Sequence, residues 1–309
     1  MPKTKRILVV ANKSWEADPL VSVCLNPKMR PAALLDWTAG ASGLFSSPGN
    51  GARPVGMQLA PRCVCNTDVA RIEVWCIEDW MGTANHSSSK VKSEEVLPKI
   101  LAADDPPDFV VAFGTAGFPD STTANGCVVV GSSAFVFNPY RETMPGVTHD
   151  ASSDWDDQQK VGQLLLSKDG ARVVARLGAN PDLRFPIDAR LIPAPTNPAI
   201  PPVVLPAASY VALSEVNITN YDDYAWTDRL AFEICRKGNP AAPVGSVETT
   251  HGLIRVMCDA PFIFVSGITD RLGYFNQELG PRTVAQNFLA AHNAGVGVVW
   301  VLPLVLESF

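Results

Sequence analysis

The sequence predicts an α/β protein, a three-layer sandwich around a twisted mixed β-sheet, on three observations. Short runs rich in Val, Ile and Phe recur along the 309 residues in the pattern of strands. Helical patterns and loops separate these runs, which is how helices come to cover the faces of a sheet. Two successive β-type segments each finish on a carboxylate, Glu248 and then Asp270. In open α/β sheets ligands bind beyond the carboxyl ends of the strands, so acids placed there are candidate functional groups.

Taken in order, the strands predicted are 6–11, 71–76, 108–113, 126–136, 172–177, 208–214 and 261–268. The last is the clearest, because Phe262 to Ile268 is an apolar run of β-branched and aromatic residues, suited to a strand buried on both faces. Helices are predicted over 93–101, 156–166, 227–236, 249–258 and 281–294. Pro281 suits the opening turn of the last one, since its missing N–H would be unpaired there in any case. Residues 24–66, rich in Gly, Pro and Ser and holding Trp37 and Phe45, read as a surface-loop excursion. The stretch 186–206 contains seven prolines and reads as an extended connection.

Composition narrows the function. With 47% hydrophobic residues, a chain of this length can bury roughly three quarters of its unfolded surface, and the expectation is a single domain over 1–309. The net charge of −6 comes from interspersed acids and bases without a Lys/Arg block. That argues against a nucleic-acid surface and for a small polar ligand. Seven cysteines, at 24, 63, 65, 76, 127, 235 and 258, form no Cys-x-x-Cys pair. Neither a disulfide framework nor a zinc site is indicated, and buried thiols in a reducing compartment are expected. The basic start is followed by an apolar run of only Ile7 to Ala11, and the C-terminal run Val296 to Leu306 is about half the length of a membrane span. The expectation is a cytoplasmic protein with no membrane partner.

Three separated segments carry a family likeness. The strand end Phe264-Val-Ser-Gly-Ile-Thr-Asp270, the pair Val247-Glu248 lying 22 positions before Asp270, and the run Phe109-Val-Val-Ala-Phe-Gly-Thr-Ala-Gly117 stand in a characteristic order. Asn125 to Ala134 adds a following strand, and Glu16 comes shortly after the strand Arg6 to Ala11. Together they resemble the purine nucleoside phosphorylase and nucleosidase superfamily, closest to its methylthioadenosine/S-adenosylhomocysteine nucleosidase branch. The likeness covers 6–20, 108–138 and 243–302.

The resemblance implies a nucleoside phosphorylase-like fold and cleavage of the N-glycosidic bond of an adenosine-type purine nucleoside by water. Asp270 would be the general acid at the leaving base, its proton retained by burial or a neighbouring acid. Glu16 would help position the attacking water, and Glu248 beside Val247 would hold the ribose hydroxyls. Gly114, Thr115, Ala116 and Gly117 would form a strand-end loop whose N–H groups and hydroxyl hold an anion or the water. The stretch 217–226 falls where the family places its base-stacking aromatic, which makes Tyr221, Tyr224 and Trp226 candidates. No cofactor or metal is implied, beyond phosphate as co-substrate in a phosphorylase. At least a dimer is expected.

Each residue also has a plainer role. Asp270 could cap a helix N-terminus. Glu248 could favour the dipole of a helix starting near Thr249. Glu16 could be a surface residue at a helix start, and His251 reads as structural. Three departures matter: Val247 stands in place of Met, Ala112 where hexameric phosphorylases carry Arg, and Ser266 where nucleosidases carry Arg. The second favours water over phosphate, unless Arg30, Arg141 or Arg282 folds in. The third points to a different 5′ substituent. A phosphate-dependent phosphorylase and a non-catalytic nucleoside-binding protein are the alternatives.

Overall fold

The computed structural model describes residues 4–40, 60–81, 88–101, 105–118, 126–138, 160, 162–179, 211–213, 216–220, 225–238, 243–272 and 284–309. Their strands form one mixed sheet. It contains β1 (Lys5–Ala11), β2 (Trp37–Ala39), β3 (Cys63–Asn66), β4 (Ala70–Cys76), β5 (Phe109–Phe118), β6 (Val128–Gly131), β7 (Ser133–Phe137), β8 (Leu164–Leu166), β9 (Val211–Leu213), β10 (Val216–Asn220), β11 (Val244–Glu248) and β12 (Phe262–Arg271). The main path runs β2-β3-β4-β1-β5-β11-β10-β7-β8, and β12 leaves β5 to pair with β6, which pairs in turn with β9.

Period-two alternation sends each central strand into two cores. In β1, Ile7, Val9 and Ala11 join one buried cluster while Leu8 and Val10 join another, and in β5 Phe109, Val111 and Phe113 are divided from Val110 and Ala112 in the same way. Helices α1 (Ser14–Leu25), α4 (Lys168–Ala179) and α7 (Val284–Leu306) cover the first face. On the second lie α2 (Ser89–Val91), a π turn (Lys92–Val96) running into α3 (Leu97–Leu101), and α6 (His251–Met257). Helix α5 (Ala225–Gly238) covers a third cluster with Phe135, Phe137, Ile218 and Val247.

Several sequence expectations are corrected. Residues 172–177 are helix, because Val173 and Leu177 are buried one turn apart while Arg172 and Arg176 face outward. Of the helix predicted at 156–166, residues 164–166 are instead β8, an edge strand on β7, preceded by Gly162 with φ 76°. The single strand predicted over 126–136 is split: β6 pairs with β12 and β9, whereas β7 pairs with β10 and β8. Helix α7 is longer and more apolar than expected. Its segment Asn287–Leu306 has mean hydropathy 1.8, enough by length and composition to cross a membrane, yet 72% of that window is buried here, against α1, β5 and β12. Within 24–66, residues 24–25 close α1 and β2 and β3 join the sheet, with Leu34 and Trp37 buried, while 41–59, including Phe45, lie outside the described residues. The prolines of 186–206 lie outside the described residues.

Candidate active site

The site is assembled where β5 outruns β1. β1 pairs with β5 only as far as Ala11↔Phe113, so the next residues, Gly114-Thr-Ala-Gly117, are free of β1. They were expected as a loop, but they continue β5 through Phe118 and pair with β12. The register sets Ser266 opposite Gly114, Gly267 opposite Thr115 and Ile268 opposite Ala116. A shift at Thr269 then sets Asp270 opposite Gly117, and such a bulge re-aims the side chain that follows it. From the other side β11 meets β5 at one pair, Val247↔Gly117. Three strands thus bring Val247, Gly117 and Asp270 into one row.

Gly117 admits a close carboxyl. A Cβ there would lie 3.2 Å from Asp270 Oδ2 and 3.7 Å from the Val247 carbonyl oxygen. Asp270 is buried and accepts a hydrogen bond at Oδ1 from Thr269 Oγ1 at 2.7 Å. It lies within β12 and caps no described helix.

Glu16 reaches the same strand from the first turn of α1, a helix whose start is fixed by the Ser14 N–H donating to Glu78 Oε2 at 2.7 Å. The plainer reading of Glu16 as a surface residue at a helix start fails, since it is only 3% exposed. Its Oε1 accepts from both the Thr115 N–H and the Thr115 hydroxyl, each at 2.7 Å, and its Oε2 accepts from the Lys13 N–H at 3.0 Å. Burial pushes the carboxyl above its ordinary range, while the Thr115 and Lys13 hydrogen bonds and the charge of His251 pull it back.

Glu248 ends β11 and turns back on α6. Oε1 accepts from Thr219 Oγ1 at 2.7 Å and from the His251 N–H at 2.9 Å, and Oε2 accepts from the Thr250 N–H. The carboxylate therefore caps α6, as its plainer reading expects, while half-exposed at the strand end beside Val247.

A buried polar chain that the sequence reading missed runs from the His251 ring to Glu248. The His251 ring, 1% exposed and stacked at 6.1 Å on Phe264, has Nδ1 3.4 Å from Ser266 Oγ. Ser266 Oγ donates to Ser246 Oγ at 3.4 Å, Asn217 Nδ2 donates to Ser246 Oγ at 2.9 Å, and Thr219 Oγ1 links Asn217 Oδ1 at 3.0 Å to Glu248. Every member but Glu248 is buried. A legible signal existed: Asn217 and Thr219 are polar residues at alternate positions of one strand, which marks a polar interior face.

Of the remaining candidates, Ala116 is packed in the core, and Tyr221 and Tyr224 lie outside the described residues. Trp226 lies in the first turn of α5. Ala112 is fully buried, Arg30 donates to the Cys24 carbonyl at the end of α1, and Arg141 and Arg282 lie outside the described residues. Lys92, itself buried, donates to Thr250 Oγ1 at 3.2 Å. Among the described residues no three His, Cys, Asp or Glu side chains gather as a metal site.

With this geometry in view, the comparisons with known proteins are informative about fold. No protein-family model matches the chain, and no curated protein matches it by sequence. Solved structures do match over nearly the whole length. The 5'-methylthioadenosine/S-adenosylhomocysteine nucleosidase of Neisseria meningitidis, in complex with methylthio-immucillin-A, superposes with a TM-score of 0.54 at 16% identity, covering 96% of this chain and 98% of that one. Futalosine hydrolase of Helicobacter pylori gives 0.53 at 11% identity over 97% and 98%. The nucleosidase of Colwellia psychrerythraea, in complex with adenine, gives 0.53 at 13% identity over 98% and 96%. The chain has a nucleoside phosphorylase-like fold. Within that fold, the carboxyl end of β5 is where Glu16, Asp270 and Val247 converge.

Proposed function

We propose that this protein is a nucleosidase that cleaves the N-glycosidic bond of an adenosine-type purine nucleoside by water attack. One observation carries the choice of water: the Thr115 N–H and hydroxyl, the groups a strand end would offer to phosphate, are both held by the Glu16 carboxylate. A second anion there would be repelled and would find those donors taken, whereas a water would find an acceptor able to receive its proton.

The other roles combine position in the sheet with the family resemblance. Glu248, fixed by Thr219 and the start of α6, keeps oxygen lone pairs for the ribose 2′- and 3′-hydroxyls. Such bonds strengthen as positive charge grows on the sugar. Asp270, buried opposite Gly117, gives its proton to the purine as the bond to ribose breaks. Glu16 takes the proton from water as oxygen bonds to C1′. Val247 and the backbone of Gly114 to Gly117 form the floor beneath the sugar, and the family resemblance assigns the base to Tyr221 or Tyr224. That proteins of this fold have been solved with adenine and with methylthio-immucillin-A supports the substrate class. A homo-oligomer in the cytoplasm, acting without a cofactor, completes the reading.

The test is a panel of purine nucleosides in phosphate-free buffer, with released base measured by chromatography. Adenine or hypoxanthine release with free sugar is expected, and Asp270→Asn should lower kcat by about 10²- to 10⁴-fold. Strict dependence on phosphate would make the protein a phosphorylase. Tight binding of adenosine analogues without cleavage, unaltered in Asp270→Asn, would make it a binding protein.

A further inference from the structure

We propose that His251 is a positioning residue for Glu16, its imidazole facing that carboxylate across the Cα of Gly114 and supplying the countercharge that keeps a buried acid usable as a base. This deepens the nucleosidase reading and rests on it for the role of Glu16.

The geometry is specific to Gly114. A Cβ on that residue would lie 3.1 Å from Glu16 Oε1, 3.4 Å from Glu16 Oε2 and 3.2 Å from His251 Nε2. The carboxylate from α1 and the imidazole from α6 therefore open on one slot, which exists because position 114 has no side chain. The hydrogen bonds to Glu16 all come from neutral donors: two on Thr115 and the Lys13 N–H. A buried carboxylate with neutral donors alone is costly, and a facing group able to carry positive charge lowers that cost.

The rest of the His251 environment fixes which nitrogen does this. Ser266 Oγ donates to Ser246, so toward His251 it offers a lone pair at 3.4 Å from Nδ1. Nδ1 then carries its hydrogen toward Ser266, and Nε2 is left on the Gly114 slot, where a proton gained by the ring places positive charge facing Glu16. The Phe264 ring holds the imidazole plane, and the His251 N–H is held by Glu248. Movement of the ribose-binding carboxylate and orientation of the water-binding one thus pass through a single residue. The other charged groups around the pair are Lys13 and Glu78 at the start of α1, Lys92 against Thr250, Glu248, and Asp270 at Gly117. They are common to every variant compared below.

The experiment follows the Glu16 side-chain carboxyl by ¹³C NMR in the full chain, its resonance assigned by loss in Glu16→Gln. In the native protein the titration should show, besides the carboxyl's own midpoint, a smaller inflection as the imidazole gains charge. In His251→Gln that inflection should vanish and the midpoint rise by about one pH unit. The acidic limb of kcat/KM should move the same way, which a purely structural role for His251 would not produce. A native curve with one inflection, or a midpoint unmoved by His251→Gln in a folded variant, overturns the pairing. The native curve needs no variant to fold. Coupled titration without cleavage of any nucleoside keeps the pairing and removes the reaction; cleavage with uncoupled titration removes the pairing and keeps the reaction.

Discussion

The proposed role of Glu16 comes at a cost to the fold. Burial raises its proton affinity, and the Thr115, Lys13 and His251 contacts recover only part of what desolvation takes. The sign of the consequence follows from linkage. A carboxyl whose folded-state value lies above its ordinary 4.5 contributes its stability in full below that value and loses it as pH rises through the folded value. Glu16→Gln should therefore melt higher than the native protein at neutral pH, and the difference should shrink toward pH 4, measured by calorimetry across that range. The same substitution should cut nucleoside cleavage by about 10²- to 10⁴-fold. Sites that gain stability when their catalytic group is neutralised are a recurrent trade between folding and function. The sequence marked Glu16 by its place after a buried strand, but nothing local revealed its burial. That depends on β5 continuing past β1, a fact of register between residues about a hundred positions apart.

At the scale of elements, seven-residue α6 carries much of the site and is pressed against β10 by an absent side chain. A Cβ on Gly252 would come within 2.7 Å of Thr219 Oγ1 and 2.8 Å of Val136 Cγ2. Gly252→Ala should push α6 outward, break the Gly252 N–H bond to Thr219 and loosen the Thr219 grip on Glu248. The expected result is a loss of about 1–3 kcal/mol in chemical denaturation with a rise in KM larger than the fall in kcat. Central strands such as β1, β5 and β12 were legible because burial on both faces leaves long apolar runs. Helix α4 was misread because Val173 and Val174 are β-branched neighbours, and one turn of spacing to Leu177 is a weak signal in a short window. The polar chain from His251 to Thr219 was legible only at Asn217 and Thr219, which alternate along β10. Its members come from β10, β11, α6 and β12, and only the sheet order places them side by side.

For the whole molecule, the long excursion after α1 is tied back by one fully buried guanidinium. Arg62 donates from Nε and Nη2 to Asp79 at 2.8 and 2.6 Å, and from Nη1 to Asp18 on α1. These bonds hold the entry to β3 against α1 and against the turn after β4. Removing one partner strands part of a buried charge, so Asp79→Ala should cost roughly 3 kcal/mol, read as a lower denaturant midpoint, with KM for substrate little changed because the cluster lies outside the row of Val247, Gly117 and Asp270. The layer order and the strand-end acids were visible in the sequence. This tie was not, since Asp18, Arg62 and Asp79 are spread over three segments with no motif between them.

The occupied amide of Thr115 sets the direction of the proposed reaction. An enzyme that hands ribose to phosphate conserves the bond energy as a sugar phosphate and can be driven backward when that product accumulates. With Glu16 closing the anion seat, the sugar leaves free, nothing activated remains to recombine with the base, and turnover becomes a one-way drain on its nucleoside.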